Sequence, residues 1–251
     1  MDPELKRKLG PIGSVFEFNE NLIFAHDATA GQTFLDPHSF AWVRKLEQQS
    51  GEIRAELDLL LQRRTLVPPF QWVSPLQGDL TDDERWRTYF FRVYGWDIPE
   101  AKAQCPRTWQ AVQDIPGMSL AMFSVLEPGK RVPAHTGIHK GVLRCHLALS
   151  VPSSDPSACG IRVKDDIRGW REGRCLVFDD THEHEAWNDT DEARVVLFID
   201  FARPLPSWLA LINAATMQGA KYFSSDVHEA RRNAVRFAAE LARASKLPPS
   251  V

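Results

Sequence analysis

Between residues 118 and 200 the chain changes period, and that change limits its fold more than any other feature. Upstream and downstream the apolar residues recur at helical steps, whereas here they fall into short runs: SLAMFSVLE, VLRCHLALSVP, GIRV, RCLVF and RVVLFIDF. Turn signals such as PGKRVPAHTG separate them, and no helix-length insert intervenes. Repeated short strands of this kind argue for an antiparallel sandwich or barrel.

The flanks read differently. LGPIGSVFEFNENLIF mixes short apolar pieces with breakers, and FLDPHSFAWVRKLEQQ suggests an Asp36-initiated turn into a short helix carrying Phe40, Val43 and Leu46. GEIRAELDLLLQRR places Ile53, Leu57, Leu60 and Leu61 at helical steps, RWRTYFFRVYG reads as a strand covered by helix, and AKAQCPRTWQAVQDI as a helix stopped by Pro116 and Gly117. Two helices close the chain, in SWLALINAATMQG and DVHEARRNAVRFAAELARA. The expectation is one domain over 1–251, with a mixed helical portion at 1–117, a β core at 118–204 and helices at 205–251.

Composition narrows the class of partner. The 251 residues are 43% hydrophobic, enough for a full core, and 30 basic against 33 acidic residues leave a net charge of -3 with no basic stripe for nucleic acid. No apolar run reaches the roughly 20 residues of a membrane span, and MDPELKRKLG lacks a signal-peptide core. A cytoplasmic protein with a small or neutral partner is expected, and no obligate protein partner is evident. Cys105, Cys145, Cys159 and Cys175 lack CxxC spacing and read as reduced, packed thiols.

Residues 133–204 hold five of the eight histidines, at 135, 139, 146, 182 and 184. In 142–151, alternation puts Leu143, Cys145, Leu147, Leu149 and Val151 on one face and Arg144, His146 and Ala148 on the other. That polar face is either solvated or the lining of a barrel cavity. In the last strand Arg194, Val196, Phe198 and Asp200 share a face; a guanidinium there is either a surface group or a bidentate carboxylate holder. His135 and His184 are too far apart for one helix face but suit opposing strands. His139 and His182 read as loop residues near the mouth, and His26, His38 and His228 as surface or capping residues.

Taken together, FSVLEPGKRVPAHTG, LRCHLALSVP, CGIRV, WREGRCLVFDDTHEHEAWN and RVVLFIDFARP resemble the aspartyl/asparaginyl β-hydroxylase family of iron(II)- and 2-oxoglutarate-dependent oxygenases. The likeness covers about residues 104–204, and FLDPHSFAWVRKLEQQSGEIRAEL is similar to the segment preceding the catalytic core in such proteins. It implies a double-stranded β-helix, the jelly-roll or cupin-like fold, with flanking helices. It also implies Fe(II), 2-oxoglutarate and O2 as cofactor and cosubstrates, with succinate and CO2 released as an unactivated C–H is hydroxylated. By position, His135 in PAHTG and His184 in DDTHEHEAW match the two iron-binding histidines. Ser124 and Arg194 match holders of the distal 2-oxoglutarate carboxylate, His146 a contact to its metal-bound end, and Arg144 a position facing cosubstrate or substrate.

Non-haem iron sites usually add a carboxylate, commonly two residues after the first histidine. Here that residue is Gly137, an absence that members of the family share. Among Asp179, Asp180, Glu183 and Glu185, Asp180 reads either as an orienting group for His184 or a bound water, or as part of a solvated acidic turn. Family members acting on acidic side chains carry a basic residue two before Arg144, where this chain has Val142. That speaks against aspartyl residues of a protein and for an amino-acid-like, peptidyl or other small substrate; no apolar anchor speaks for a lipid-linked one. The competing reading is a cupin-like protein that binds a metal or small ligand without oxidising it, which would not need Arg194 and Ser124.

Overall fold

The computed structural model describes residues 11–27, 29, 31–74, 78, 80–137 and 139–244; the MDPELKRKLG segment lies outside them. Eleven strands and eight α-helices are described: α1 (Pro11–His26), β1 (Phe34–Leu35), α2 (Val43–Gln48), α3 (Ser50–Leu61), α4 (Phe70–Val73), β2 (Trp86–Val93), β3 (Trp96–Asp97), α5 (Pro99–Gln104) and α6 (Pro106–Val112), then β4 (Leu120–Leu126), β5 (Lys130–His135), β6 (Val142–Ser150), β7 (Cys159–Val163), β8 (Asp166–Arg168), β9 (Cys175–Phe178), β10 (His184–Asn188), β11 (Arg194–Ala202), α7 (Ser207–Phe223) and α8 (Ser225–Ala244).

The strands form two antiparallel sheets, one in the order β1-β9-β6-β11-β4-β2-β3 and one in the order β5-β10-β7-β8. They face each other as a double-stranded β-helix that is open at its edges, not a closed barrel. The central strands β4, β6 and β11 are buried along almost their whole length. Their chemical alternation therefore does not separate core from water. One face packs beneath helices, and the other lines an internal cavity.

The core is dominated by aromatic and branched side chains. Phe91 and Phe123 meet edge to face at 5.0 Å, both fully buried. Burying side chains of this size contributes roughly 1.5–3 kcal/mol each, and Phe123→Ala is expected to cost about 3–5 kcal/mol. Helices α5 and α8 lie against β2, so RWRTYFFRVYG is the covered strand its composition implies.

Two local expectations are corrected. The stretch read as apolar pieces with breakers is the helix α1, whose period was hidden because its inward face carries Asn19 and Glu20 beside Phe16 and Ile23. The single helix expected from Ala101 onward is two, α5 and α6, broken at Cys105 (φ -127°, ψ 66°). Pro106 causes the break, because it disfavours helical geometry in the residue before it and starts the next helix without needing an N–H bond. The free N–H groups of Arg107 and Thr108 then donate to the Glu56 carboxylate, both at 2.8 Å.

Candidate active site

The two histidines of the PAHTG and DDTHEHEAW segments stand opposite each other, because β5 and β10 pair in a register that matches His184 with His135. Their rings are 4.1 Å apart, centre to centre. Each ring donates from Nδ1 to a backbone carbonyl, His135 to Pro133 at 2.8 Å and His184 to His182 at 2.9 Å. That fixes the tautomer and leaves Nε2 as the lone pair on both rings; on His184 it lies 3.5 Å from Arg144 Nη1. Burial pushes the His135 pKa down to about 4 and that of His184 well below its ordinary value, so both rings are neutral at pH 7. Two neutral, oriented imidazoles side by side suit a divalent metal.

No third ligand joins them: among the described residues no group of three or more His, Cys, Asp or Glu could hold a metal ion. Gly137 shows why. Its N–H donates to Asp180 O at 2.7 Å, and a Cβ built on it would overlap the Asp180 carboxylate. The place where a ligand carboxylate commonly stands is occupied by another acid arriving from the β9–β10 connection. Asp180 is buried and pairs with Arg144 Nη2 at 2.8 Å, while its Oδ1 has no partner among the described residues. Burial, with Asp200 and Asp179 nearby, pushes its pKa up to about 7 against the pull of Arg144 and Arg203.

Arg144 also donates to both oxygens of Asp200, at 2.8 and 3.1 Å, and lies over the Phe198 ring at 4.2 Å. Its charge is met by two carboxylates. Arg194 is the opposite case. It is buried, its Nε and Nη1 lack partners, and it stacks over Trp170 at 4.5 Å. Burial lowers its pKa to about 10, and an unpaired guanidinium in such a place calls for an anion.

The groups around Arg194 fit a carboxylate. Ser124 Oγ, opposite Val196 on β11, accepts from Trp86 Nε1 at 3.0 Å, which leaves its own O–H to donate. His146 Nδ1 accepts from Trp170 Nε1 at 3.3 Å, so its proton is on Nε2, which is buried without a partner. Ser124, His146, Arg194, His135 and His184 line one inner cavity. All seven predicted residues are thus brought together around His135 and His184, with Arg144 lining the inner cavity as well and Asp180 paired to it. Trp86, Trp170 and Asp200 were missed as members of this arrangement. Only Asp200 had a signal, its place on the Arg194 face of β11.

The inner cavity adjoins a larger one that shares His135, Arg144, Trp86 and Phe198 with it. The larger lobe is walled mainly by apolar side chains, among them Phe16, Phe70, Met122, Val142 and Met217. Val142 presents a buried aliphatic group at the position where a cation was looked for. His139 is a loop residue that lines the larger lobe, but it is buried, with Nε2 bonded to Asn213 of α7 at 2.7 Å and its ring against Phe16 of α1. His182 is half-buried, within 4.0 Å of Asp179.

Residues 47–204 match the family model described as aspartyl/asparaginyl β-hydroxylase. A Rhizobium tropici protein described as ornithine lipid ester-linked acyl 2-hydroxylase is 42% identical over 204 residues, 81% of this chain and 72% of its own length. Mouse aspartate β-hydroxylase domain-containing protein 2 is 32% identical over 58% of this chain and 45% of its own, so the chain spans under half of that relative. A Pseudomonas putida prolyl-4-hydroxylase structure covers 61% of this chain and 88% of its own at 13% identity and a TM-score of 0.40, an overlap too low to carry residue roles. By the extent of the family match and by the identity to the Rhizobium protein, this chain belongs to the aspartyl/asparaginyl β-hydroxylase family.

Proposed function

We propose that this protein is an iron(II)- and 2-oxoglutarate-dependent hydroxylase whose substrate is an acyl chain of a polar lipid. The observation that carries the substrate class is the apolar lobe, with Val142 in its wall, opening onto His135. The description of the Rhizobium relative as an acyl 2-hydroxylase agrees with it, and we prefer it to the amino-acid-like, peptidyl or other small substrate expected from the sequence.

His135 and His184 would hold the metal through Nε2. Ser124 and Arg194 would hold the distal carboxylate of 2-oxoglutarate, and His146 would donate from Nε2 to its other end. Bound there, Fe(II) with 2-oxoglutarate supplies the oxidising chemistry, in which O2 delivers one oxygen atom to the substrate C–H and one to succinate as CO2 is released. Arg144, its charge met by Asp180 and Asp200, acts as a positioning residue that fixes the Asp180 carboxyl beside the rings. The Asp180 Oδ1 is free to hold or receive a proton there. Phe16, Met122 and Met217 exclude water from the chain being oxidised and orient it toward the two histidines. Four buried free thiols suit a cytoplasmic setting.

Anaerobic titration with Fe(II) and 2-oxoglutarate tests the site. A weak visible charge-transfer band is expected in the wild type and absent in His135→Ala and His184→Ala. A wild type with no band, and no succinate formed with iron, ascorbate and O2, contradicts the oxygenase reading and leaves a plain metal-binding cupin.

A further inference from the structure

Helices α1 and α7 depart from the usual amphipathic pattern by burying polar groups and exposing large apolar ones. In α8 the buried positions are apolar, Val227, Ala230, Ala234, Ala238 and Leu241, and its many charges face outward. In α7 the buried set includes Asn213 and Thr216, and in α1 it includes Asn19 and Glu20. Much of what these two helices turn to the outside is apolar, beside exposed Asn21 and Gln218: Phe18 is 63% exposed, Phe24 68% and Leu211 73%. Surface helices in water place their polar stripe outward, so an outward apolar stripe marks a face that meets something other than water.

The two stripes lie side by side. Asn19 Nδ2 donates to Asn213 Oδ1 at 3.0 Å, and His26 meets the ring of Trp208 at 5.1 Å, so α1 and α7 pack antiparallel. Their inward sides wall the apolar lobe through Phe16 and Met217. The same helix pair thus separates the substrate cavity from the exposed apolar face.

Charge identifies the occupant. Among its residues α7 has no acid and one cation, Lys221, and the two acids of α1 are Glu17, half-buried, and Glu20, buried. Lys140 stands over Phe24, its Nζ 5.0 Å from the ring centre. An apolar face with cations at its edge fits the headgroup and upper acyl region of a bilayer containing anionic lipid. No described helix is long and apolar enough to cross a membrane, so contact of this kind lies on the surface.

We propose that the α1–α7 face docks the protein on an anionic bilayer, seating the apolar lobe at the depth of the acyl chains it oxidises. The second half of that statement rests on the acyl-lipid reading above; docking itself does not. The test is sedimentation of the full chain, without metal or 2-oxoglutarate, with vesicles of equal parts phosphatidylglycerol and phosphatidylcholine. The wild type is expected to pellet with them. Phe18→Ser combined with Leu211→Ser, both at exposed positions outside the cavity, is expected to lower partitioning roughly 10- to 100-fold, and Lys140→Gln severalfold at low salt only. A wild type left in the supernatant, or a double variant that binds like the wild type, overturns docking. So does light scattering that shows a wild-type dimer split by the double variant, since a second copy then covers the face. Hydroxylation of a short, water-soluble acyl ester, measured alongside, is expected to be unchanged in the double variant. If vesicles bind and no ester or lipid is oxidised, the acyl reading fails and docking stands; if the ester is oxidised and vesicles do not bind, docking alone fails.

Discussion

The cavity has two kinds of wall, built by opposite rules. The strand walls, β4, β5, β6, β10 and β11, bring polar side chains inward from otherwise apolar runs and orient three of them with a partner, His135 on a carbonyl, Ser124 on Trp86 and His146 on Trp170, while Arg194 is left unpaired at its Nε and Nη1. The helix wall, α1 and α7, turns apolar groups both into the cavity and out to the surface, and keeps its polar contacts for the seam between the helices. The difference teaches a division of labour. Paired strands fix ring and guanidinium positions through register, which chemistry requires, whereas a helix wall can change the shape of the lobe without moving the histidines.

That division can be broken at several places. His184→Ala removes one of the two proposed metal ligands, and turnover is expected to fall by at least about 1,000-fold, measured as succinate release. Arg194→Ala takes away the buried cation, and the 2-oxoglutarate concentration needed for turnover is expected to rise roughly 100- to 1,000-fold. An unchanged dependence removes Arg194 from the site. Changes in the helix wall should be milder and selective: Met217→Arg is expected to cost about tenfold or more toward long acyl chains while leaving the anaerobic charge-transfer band intact. If that band is lost as well, the two walls are not separable.

How far these walls could be read from sequence follows the same line. Alternation in β6 and β11 sorted Arg144, His146, Arg194 and Asp200 onto the cavity face, because a strand's period survives whatever packs on either side. Which face was the cavity did not follow from period, since both faces are buried; the family likeness supplied it. Helix α1 escaped because periodicity presumes an apolar inward face, and here Asn19 and Glu20 lie inside. Trp86 and Trp170, which set the donor directions of Ser124 and His146, could not be found at all, as their contacts cross 38 and 24 residues of chain. The missing acid at Gly137 was legible as an absence, but its steric cause, Asp180, needed the fold.

Gly137→Ala sharpens that last point. A methyl group there meets the Asp180 carboxylate, and a loss of about 1–3 kcal/mol in stability is expected, relieved when Asp180→Gly is added. The smallest effect concerns the seam. Burial pushes the His139 pKa down to about 4, so between the unfolded value of about 6.5 and that value the unfolded chain binds more protons than the folded one. Its contribution is present above pH 6.5 and is lost as pH falls toward 4. Thermal melts should show Tm dropping over this window, and His139→Gln should flatten the drop.

The central claim is that the strand wall oxidises what the helix wall holds. Incubating the iron-loaded protein with 2-oxoglutarate, an acyl lipid in vesicles and isotopically heavy O2, then weighing the lipid by mass spectrometry, tests it most directly. The account predicts one heavy oxygen atom in the acyl chain for each succinate formed, and neither product in His184→Ala. Succinate formed without lipid oxidation, or the same product made with zinc and without O2, would contradict it.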